Sequence, residues 1–313
     1  QPVINEEAGT IVFAVNEEVE SLKFTPIIEI SEGATITPAS GVAQDFSNNK
    51  KVTYTVTAED GTVKVYTAFV EGTRKVLKYS FEDWKEDTKN DELLPKDLWA
   101  GSAAGAGILG GTLLRKETRE DGTYAAKLIT FEYPNEPNSL VPKITAGSIF
   151  IGKFDMMPAS QGDRLSCTKF GLDAETVSLG GKPLRFKGVY KYESGSNYLD
   201  ASNYEDVKPV DIKDKGQIQA VLYKVQTGED GKEIVLTGHD VNTSELRVAV
   251  ANIIVEDIKE YTPFNIEFEY LQEYDRTAKY KFAIICSSSK DGDLFKGAGG
   301  STLIVDEFEV ICE

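Results

Sequence analysis

The sequence predicts an all-β protein built as two β-sandwiches, a small one at the N-terminus and a larger two-sheet jelly roll after it. Three observations lead there. Val, Ile, Thr, Tyr and Phe recur in short runs; Gly, Asp, Asn and Pro clusters bound those runs; and the runs fall into two blocks separated at Glu71-Gly72-Thr73-Arg74-Lys75. β-Branched and aromatic side chains suit a pleated, half-buried surface, and glycine supplies the positive φ of tight turns. At 313 residues, 41% of them hydrophobic, the chain can give each block its own core.

In the first block, residues 1–72, strands are expected at 11–15 and 22–30, with Pro26 suited to an edge position. Residues 51–58 alternate cleanly: Val52, Tyr54, Val56 and Ala58 share one face, Thr53, Thr55 and Thr57 the other. Asp60-Gly61 then turns the chain, and Val63, Val65, Thr67 and Phe69 return along the partner strand. In the second block, residues 73–313, strands are expected at 75–82, 125–131, 148–154, 184–192, 217–225, 247–255, 264–270, 279–286 and 302–311. About ten strands with long connections favour two packed sheets over a tight barrel. Residues 247–258 also read at helical spacing through Val248, Ala251, Ile254 and Val255. The Gly-rich stretch 101–111 is expected to be an ordered loop inside this domain.

Composition excludes several classes of function. Fifty-one acidic residues against 34 Lys and Arg give a net charge of -17, so nucleic acid is not an expected partner and anionic membrane surfaces are disfavoured. Solubility accounts for the acidity. No apolar run approaches the ~20 residues of a membrane span. A monomer is expected; Gln1 fits either a mature terminus whose export signal has been removed or a chosen boundary, and a lipid anchor ahead of the given residues is a further expectation. Cys167, Cys286 and Cys312 form no CxxC or Cys/His cluster; buried free thiols are expected, with a Cys286–Cys312 disulfide as the lesser alternative. His239, the single histidine, lies in the turn-like Thr237-Gly238-His239-Asp240, and no GxSxG, P-loop or dinucleotide motif is present.

Two resemblances add to this. Ala34-Thr35-Ile36-Thr37-Pro38-Ala39-Ser40-Gly41, Asp45-Phe46-Ser47 and the run from Thr53 to Thr62 resemble the immunoglobulin-like domains of surface proteins in gram-negative gut bacteria. That likeness implies a spacer or presentation domain on an exported, secreted or outer-membrane protein. In the second block, Phe81-Glu82-Asp83-Trp84, Ala125-Ala126-Lys127-Leu128, Ala146-Gly147-Ser148-Ile149-Phe150-Ile151-Gly152-Lys153-Phe154, Gly188-Val189-Tyr190-Lys191-Tyr192 and the segment from Ser287 to Glu307 resemble the putative carbohydrate metabolism domain family, PCMD. The resemblance implies a jelly roll like those of carbohydrate-active enzymes and carbohydrate-binding modules.

Sugar recognition needs aromatic faces for C–H surfaces and polar groups for hydroxyls. Tyr190 and Tyr192, on one face of their strand with Lys191 on the other, are candidates for a stacking platform, and core residues if that face is the inner one. Trp99, bordering the Gly-rich loop, is a candidate pocket wall, whereas Trp84 reads as a core plug. The loop 287–300 offers Ser287, Ser288, Lys290 and Asp293 among glycines that let a ligand approach the backbone. No cofactor is expected, although Asp291-Gly292-Asp293 leaves a calcium reading that lacks the ligand ladder of an EF-hand. A glycoside hydrolase would need two carboxylates at a defined separation; Glu82, Asp83, Asp173, Glu175 and Glu193 adjoin candidate strands, with nothing to choose among them. Three functions stay open: a glycan-binding or glycan-processing accessory protein, a glycoside hydrolase, and an adhesin-like structural protein.

Overall fold

A computed structural model describes residues 2–106, 109–138 and 141–313. Gln1, and Gly107 and Ile108 within the Gly-rich stretch, lie outside the described residues. The chain divides into two compact units, one ending at Val76 and the other Leu77–Cys312.

The first unit carries a main sheet of five strands, β1 (Val3–Asn5), β2 (Thr10–Asn16), β3 (Thr35–Thr37), β4 (Val52–Thr57) and β5 (Val63–Tyr79), the last three residues of β5 belonging to the second unit, and a small sheet that pairs Lys23–Phe24 with Gln44–Asp45. Their order is β1-β2-β5-β4-β3, antiparallel except for the parallel β2–β5 pair. The β4–β5 connection closes at Gly61, whose φ of +85° only glycine adopts freely, and Asp60 accepts the Thr62 amide at 2.8 Å. Alternation holds as expected: Tyr54 is buried with Phe46 and Ala68, and Phe13 packs edge-on to Phe46 at 5.0 Å. The expected strand over 22–30 is cut to Lys23–Phe24. Pro26 has no amide to donate to a ladder, and Ile27 is left exposed. The stretch Glu71-Gly72-Thr73-Arg74-Lys75 lies inside β5.

The second unit is a jelly roll of two antiparallel sheets. In chain order its main strands are β6 (Trp99–Gly101), β7 (Leu114–Thr118), β8 (Tyr124–Ile129), β9 (Ser148–Phe154), β10 (Pro183–Glu193), β11 (Gly216–Lys224), β12 (Arg247–Val255), β13 (Ile258–Glu267), β14 (Tyr280–Ser287) and β15 (Thr302–Cys312). One sheet runs β7-β8-β15-β10-β13. The other runs β6-β9-β14-β11-β12. Leu128, Phe186, Leu303 and Phe308 from the first interdigitate with Ile149, Ile218, Phe282 and Ile284 from the second. Residues 247–255 are a strand: Ala249 and Ala251 enter this core while Val250 faces the opposite side, a period of two that no helix produces. Trp84 packs against the same core and donates its indole N–H to the Phe81 carbonyl at 2.5 Å.

Sequence patterning did not single out β6 and β7, which are short. Cys286 and Cys312 belong to opposite sheets, on β14 and β15, and all three cysteines are buried thiols outside any disulfide.

Candidate functional site

The sheet β6-β9-β14-β11-β12 uses both of its faces. Along β11, Ile218, Ala220 and Leu222 enter the inter-sheet core, so Gln217, Gln219, Val221 and Tyr223 are directed outward. Along β14, Phe282, Ile284 and Cys286 go inward, and Ala283, Ile285 and Ser287 go outward. At one end of that outer face Phe150, Phe170, Val221, Tyr223, Leu236 and Val241 form a second, smaller core. At the other end the face stays open as a cleft of about 200 Å³.

Its floor is Gln217, Gln219, Ile285 and Ser287; its walls include Phe154, Arg164, Asn242, Lys290, Asp293 and Phe295. The floor amides are oriented by neighbours: Gln217 donates to Asn252 at 3.0 Å, and Gln219 to Asn242 at 3.4 Å. Amides over an apolar base, with aromatic rings beside them, can meet both the hydroxyls and the C–H faces of a sugar ring.

The loop 287–300 is anchored from below. Asp214, 2% exposed, accepts the Ser289 hydroxyl at 2.6 Å, the Ser301 hydroxyl at 2.7 Å and the Ala298 amide at 2.8 Å on one oxygen. Its other oxygen accepts the Lys215 amide at 2.8 Å. Above this anchor the chain makes a short 3₁₀ turn, Gly292–Leu294, and Phe295 adopts a left-handed φ of +56°. For a bulky residue that conformation is costly and persists only when its surroundings demand it. The Arg164 guanidinium lies over the Phe295 ring at 5.2 Å.

Three charged residues line the cleft. Burial holds the Asp293 carboxyl above its ordinary range, against amide hydrogen bonds from Leu294, at 3.0 Å, and from its own backbone. Burial lowers the Arg164 pKa, and one of its N–H groups is given to the Asn138 carbonyl at 3.1 Å. Lys290 spans both oxygens of Asp291, at 2.6 and 2.5 Å, and Asp291 also accepts the Tyr198 hydroxyl at 2.9 Å.

Of the residues expected from sequence, Ser287, Lys290 and Asp293 come together at this cleft. The others lie elsewhere. Tyr192 is 2% exposed in the inter-sheet core and donates its hydroxyl to the Ser288 carbonyl at 3.0 Å. Tyr190 packs against that core 6.4 Å from Phe264. A stacking platform on these tyrosines is therefore corrected: the face they share is the inner one. Lys191, on the far side of the same strand, covers the Tyr261 ring at 4.2 Å. Ser288 is fully buried, with its hydroxyl between Thr130 Oγ1 at 2.7 Å and the Gly147 amide at 2.9 Å. Trp99 is buried against Phe81 and Tyr79, 5.4 and 6.1 Å away, and lines a separate cleft of about 540 Å³ rather than this one. In that second cleft Asp91 accepts the amides of Asp87 and of Lys116, and Lys96 pairs with Glu92.

Glu82, Asp83, Asp173, Glu175 and Glu193 do not line the first cleft, and Asp173 is held by Lys281 at 2.6 Å. The run Asp291-Gly292-Asp293 gives the cleft one carboxylate rather than two, and no metal-capable group of three acidic, His or Cys residues occurs among the described residues. His239 sits in an exposed turn, 2.7 Å from Asp163. Sequence reasoning missed Gln217, Gln219, Asn242, Arg164 and Phe295. A signal existed for the first two, since Gln217-Ile218-Gln219-Ala220 alternates polar with apolar.

The profile of a family described as a putative carbohydrate metabolism domain matches residues 50–311, and one described as "SGBP, N-terminal" matches residues 1–70. A solved structure from Bacteroides thetaiotaomicron VPI-5482, described as a putative glycoside hydrolase, is 30% identical, with 100% of this chain and 92% of that chain covered and a TM-score of 0.64. Another so described, from Bacteroides vulgatus ATCC 8482, is 26% identical over 76% of this chain and 98% of that one, with a TM-score of 0.61. No curated protein matches.

Proposed function

This chain belongs to the putative carbohydrate metabolism domain family, and on that premise we propose that it is an extracytoplasmic glycan-binding protein. Its sugar seat is the cleft on the outer face of β9, β14 and β11. The small unit acts as a spacer that presents the larger one. No helix among the described residues is long and apolar enough to cross a membrane.

One observation carries the choice of binding over hydrolysis. Asp293 is the single carboxylate among the described residues that line the cleft. A glycosidase of the usual kind needs two, at ~5–5.5 Å or ~6.5–9.5 Å. The nearest acidic neighbour in sequence, Asp291, is bound to Lys290 and Tyr198.

A glycan array followed by calorimetry on each hit tests this, together with a search for released reducing ends. Binding is expected without product. Phe295→Ala and Gln219→Ala are each expected to weaken binding about tenfold, which is ~1.4 kcal/mol. Affinity unchanged in both variants would reject the site, and turnover of any hit would reject the non-catalytic reading.

A further inference from the structure

We propose that the cleft selects uncharged glycans and rejects their carboxylated or sulfated counterparts, with Asp293 as the selecting group. This rests on the reading of the cleft as a glycan seat. It follows from how the charges facing the cleft are already used. An anionic sugar needs a cation with free donors, and a guanidinium that can present its fork is the best of these. Both cations at the cleft are engaged by the protein itself. Lys290 lies between the two oxygens of Asp291, so its charge is matched before any ligand arrives. Arg164 is drawn to the Asn138 carbonyl on one side and to the face of Phe295 on the other.

Asp293 is the reverse case. It accepts backbone amides, that of Leu294 at 3.0 Å and its own, and no ammonium or guanidinium lies within ion-pair distance of it among the described residues. An ionised carboxylate accepts hydrogen bonds only and has about four lone-pair positions. Its unfilled positions call for donors, which the hydroxyls of a neutral sugar supply. A second carboxylate or a sulfate brought beside it in a partly desolvated site meets like charge at short range. The remaining polar groups of the floor, Gln217, Gln219 and Ser287, are neutral and do not offset that repulsion. The net charge of -17 acts in the same direction at longer range.

The experiment prints neutral oligosaccharides of glucose, galactose, mannose, xylose and arabinose beside oligogalacturonides, glucuronate-bearing xylo-oligosaccharides and sulfated galactans. Hits are measured by calorimetry over a salt series with the full chain. Signal is expected from the neutral set, with affinity nearly independent of salt. Each charged counterpart of a hit is expected to bind at least tenfold more weakly. Asp293→Asn, checked for an unchanged thermal transition, is expected to weaken the neutral hit about tenfold and to narrow the gap to its charged counterpart. A charged glycan preferred by the unaltered protein would overturn this inference while leaving the glycan seat intact. An unchanged gap in Asp293→Asn would overturn the role of Asp293. Binding to nothing on the array would overturn the glycan-seat reading itself.

Discussion

Replacing Asp214 by alanine removes the acceptor that holds the loop 287–300 in place. Two of its four donors, the amides of Ala298 and Lys215, belong to the backbone and cannot turn to new partners. The two serine hydroxyls can rotate, and Ser289 Oγ already lies 2.6 Å from Thr130 Oγ1. The loss is therefore chiefly that of two hydrogen bonds to an ionised group, each contributing ~1.5–3 kcal/mol. Relief of the desolvation that burial imposes on the carboxylate offsets part of it. A net destabilisation of about 3 kcal/mol is expected. For a domain of this size each kcal/mol lowers the midpoint by roughly 2–4 °C, giving a drop of about 6–12 °C. Scanning calorimetry on the full chain measures it, with the transition of the small unit as internal reference. Asp214→Asn should lose less, because its amide oxygen can keep the Ser289, Ser301 and Ala298 donors and its nitrogen faces the Lys215 amide alone. A drop below about 2 °C in Asp214→Ala would refute the reasoning and mean that the loop is held by something other than this carboxylate.

Two further outcomes follow from the same geometry. Tyr192→Phe forfeits one buried hydrogen bond to the Ser288 carbonyl, so the larger unit should lose ~1 kcal/mol while glycan affinity stays unchanged; reduced affinity at full stability would return Tyr192 to the site. Because burial holds the Asp293 pKa above its ordinary 3.8, glycan affinity should begin to fall at a higher pH than an exposed carboxylate would give as the medium is acidified, and a calorimetric pH series should be flat in Asp293→Asn. The charged groups that act on it are Asp291, which raises the pKa, and Lys290, which lowers it; Arg164 lines the same cleft. The stability linkage has the opposite sign: an acid whose pKa rises on folding contributes stability below its unfolded pKa and loses it as pH rises through the folded one.

The sequence carried the strands and only part of the site, for reasons that differ residue by residue. Residues 148–154 are placed as a strand by a short apolar run between turn residues; they are buried on both faces and do not alternate, and the same two-sided burial leaves residues 247–255 readable at helical spacing as well. The short β6 and β7 are held by pairing with β9 and β8 rather than by their own pattern, so nothing local announces them. The loop 287–300 was legible as a site because glycines and polar groups concentrate there between two strong strands. The tyrosines of β10 were placed on one face correctly, but alternation cannot say which face is inner; that depends on which sheet the strand joins. Arg164 and Asn242 come from separate loops about eighty residues apart, brought to one wall by tertiary packing, and no local pattern encodes that meeting.

The second small core explains why such a wall forms on a face that would otherwise meet solvent. Tyr223 is fully buried on the outward side of β11 and donates its hydroxyl to the Phe170 carbonyl at 2.6 Å. Immediately after Phe170 the chain passes so close to the Tyr223 ring that a Cβ on Gly171 would lie 2.8 Å from it, at a φ of +93°. Phe150 and Phe170 pack edge-on at 4.8 Å above the same strands. The segment carrying Arg164 is thus tied to the sheet at its far end, and the segment carrying Asn242 is tied through Val241. Rotamers on walls held this way lose little freedom when a ligand binds, which lowers the entropic cost of recognition. One sheet therefore supplies the inter-sheet core with one set of alternate residues, and with the other a clamp and a cleft whose floor carries amides and a hydroxyl. Its outward positions divide along the strand: apolar where the walls are fastened, as at Val221 and Tyr223, and amide or hydroxyl where the cleft is open, as at Gln217, Gln219 and Ser287.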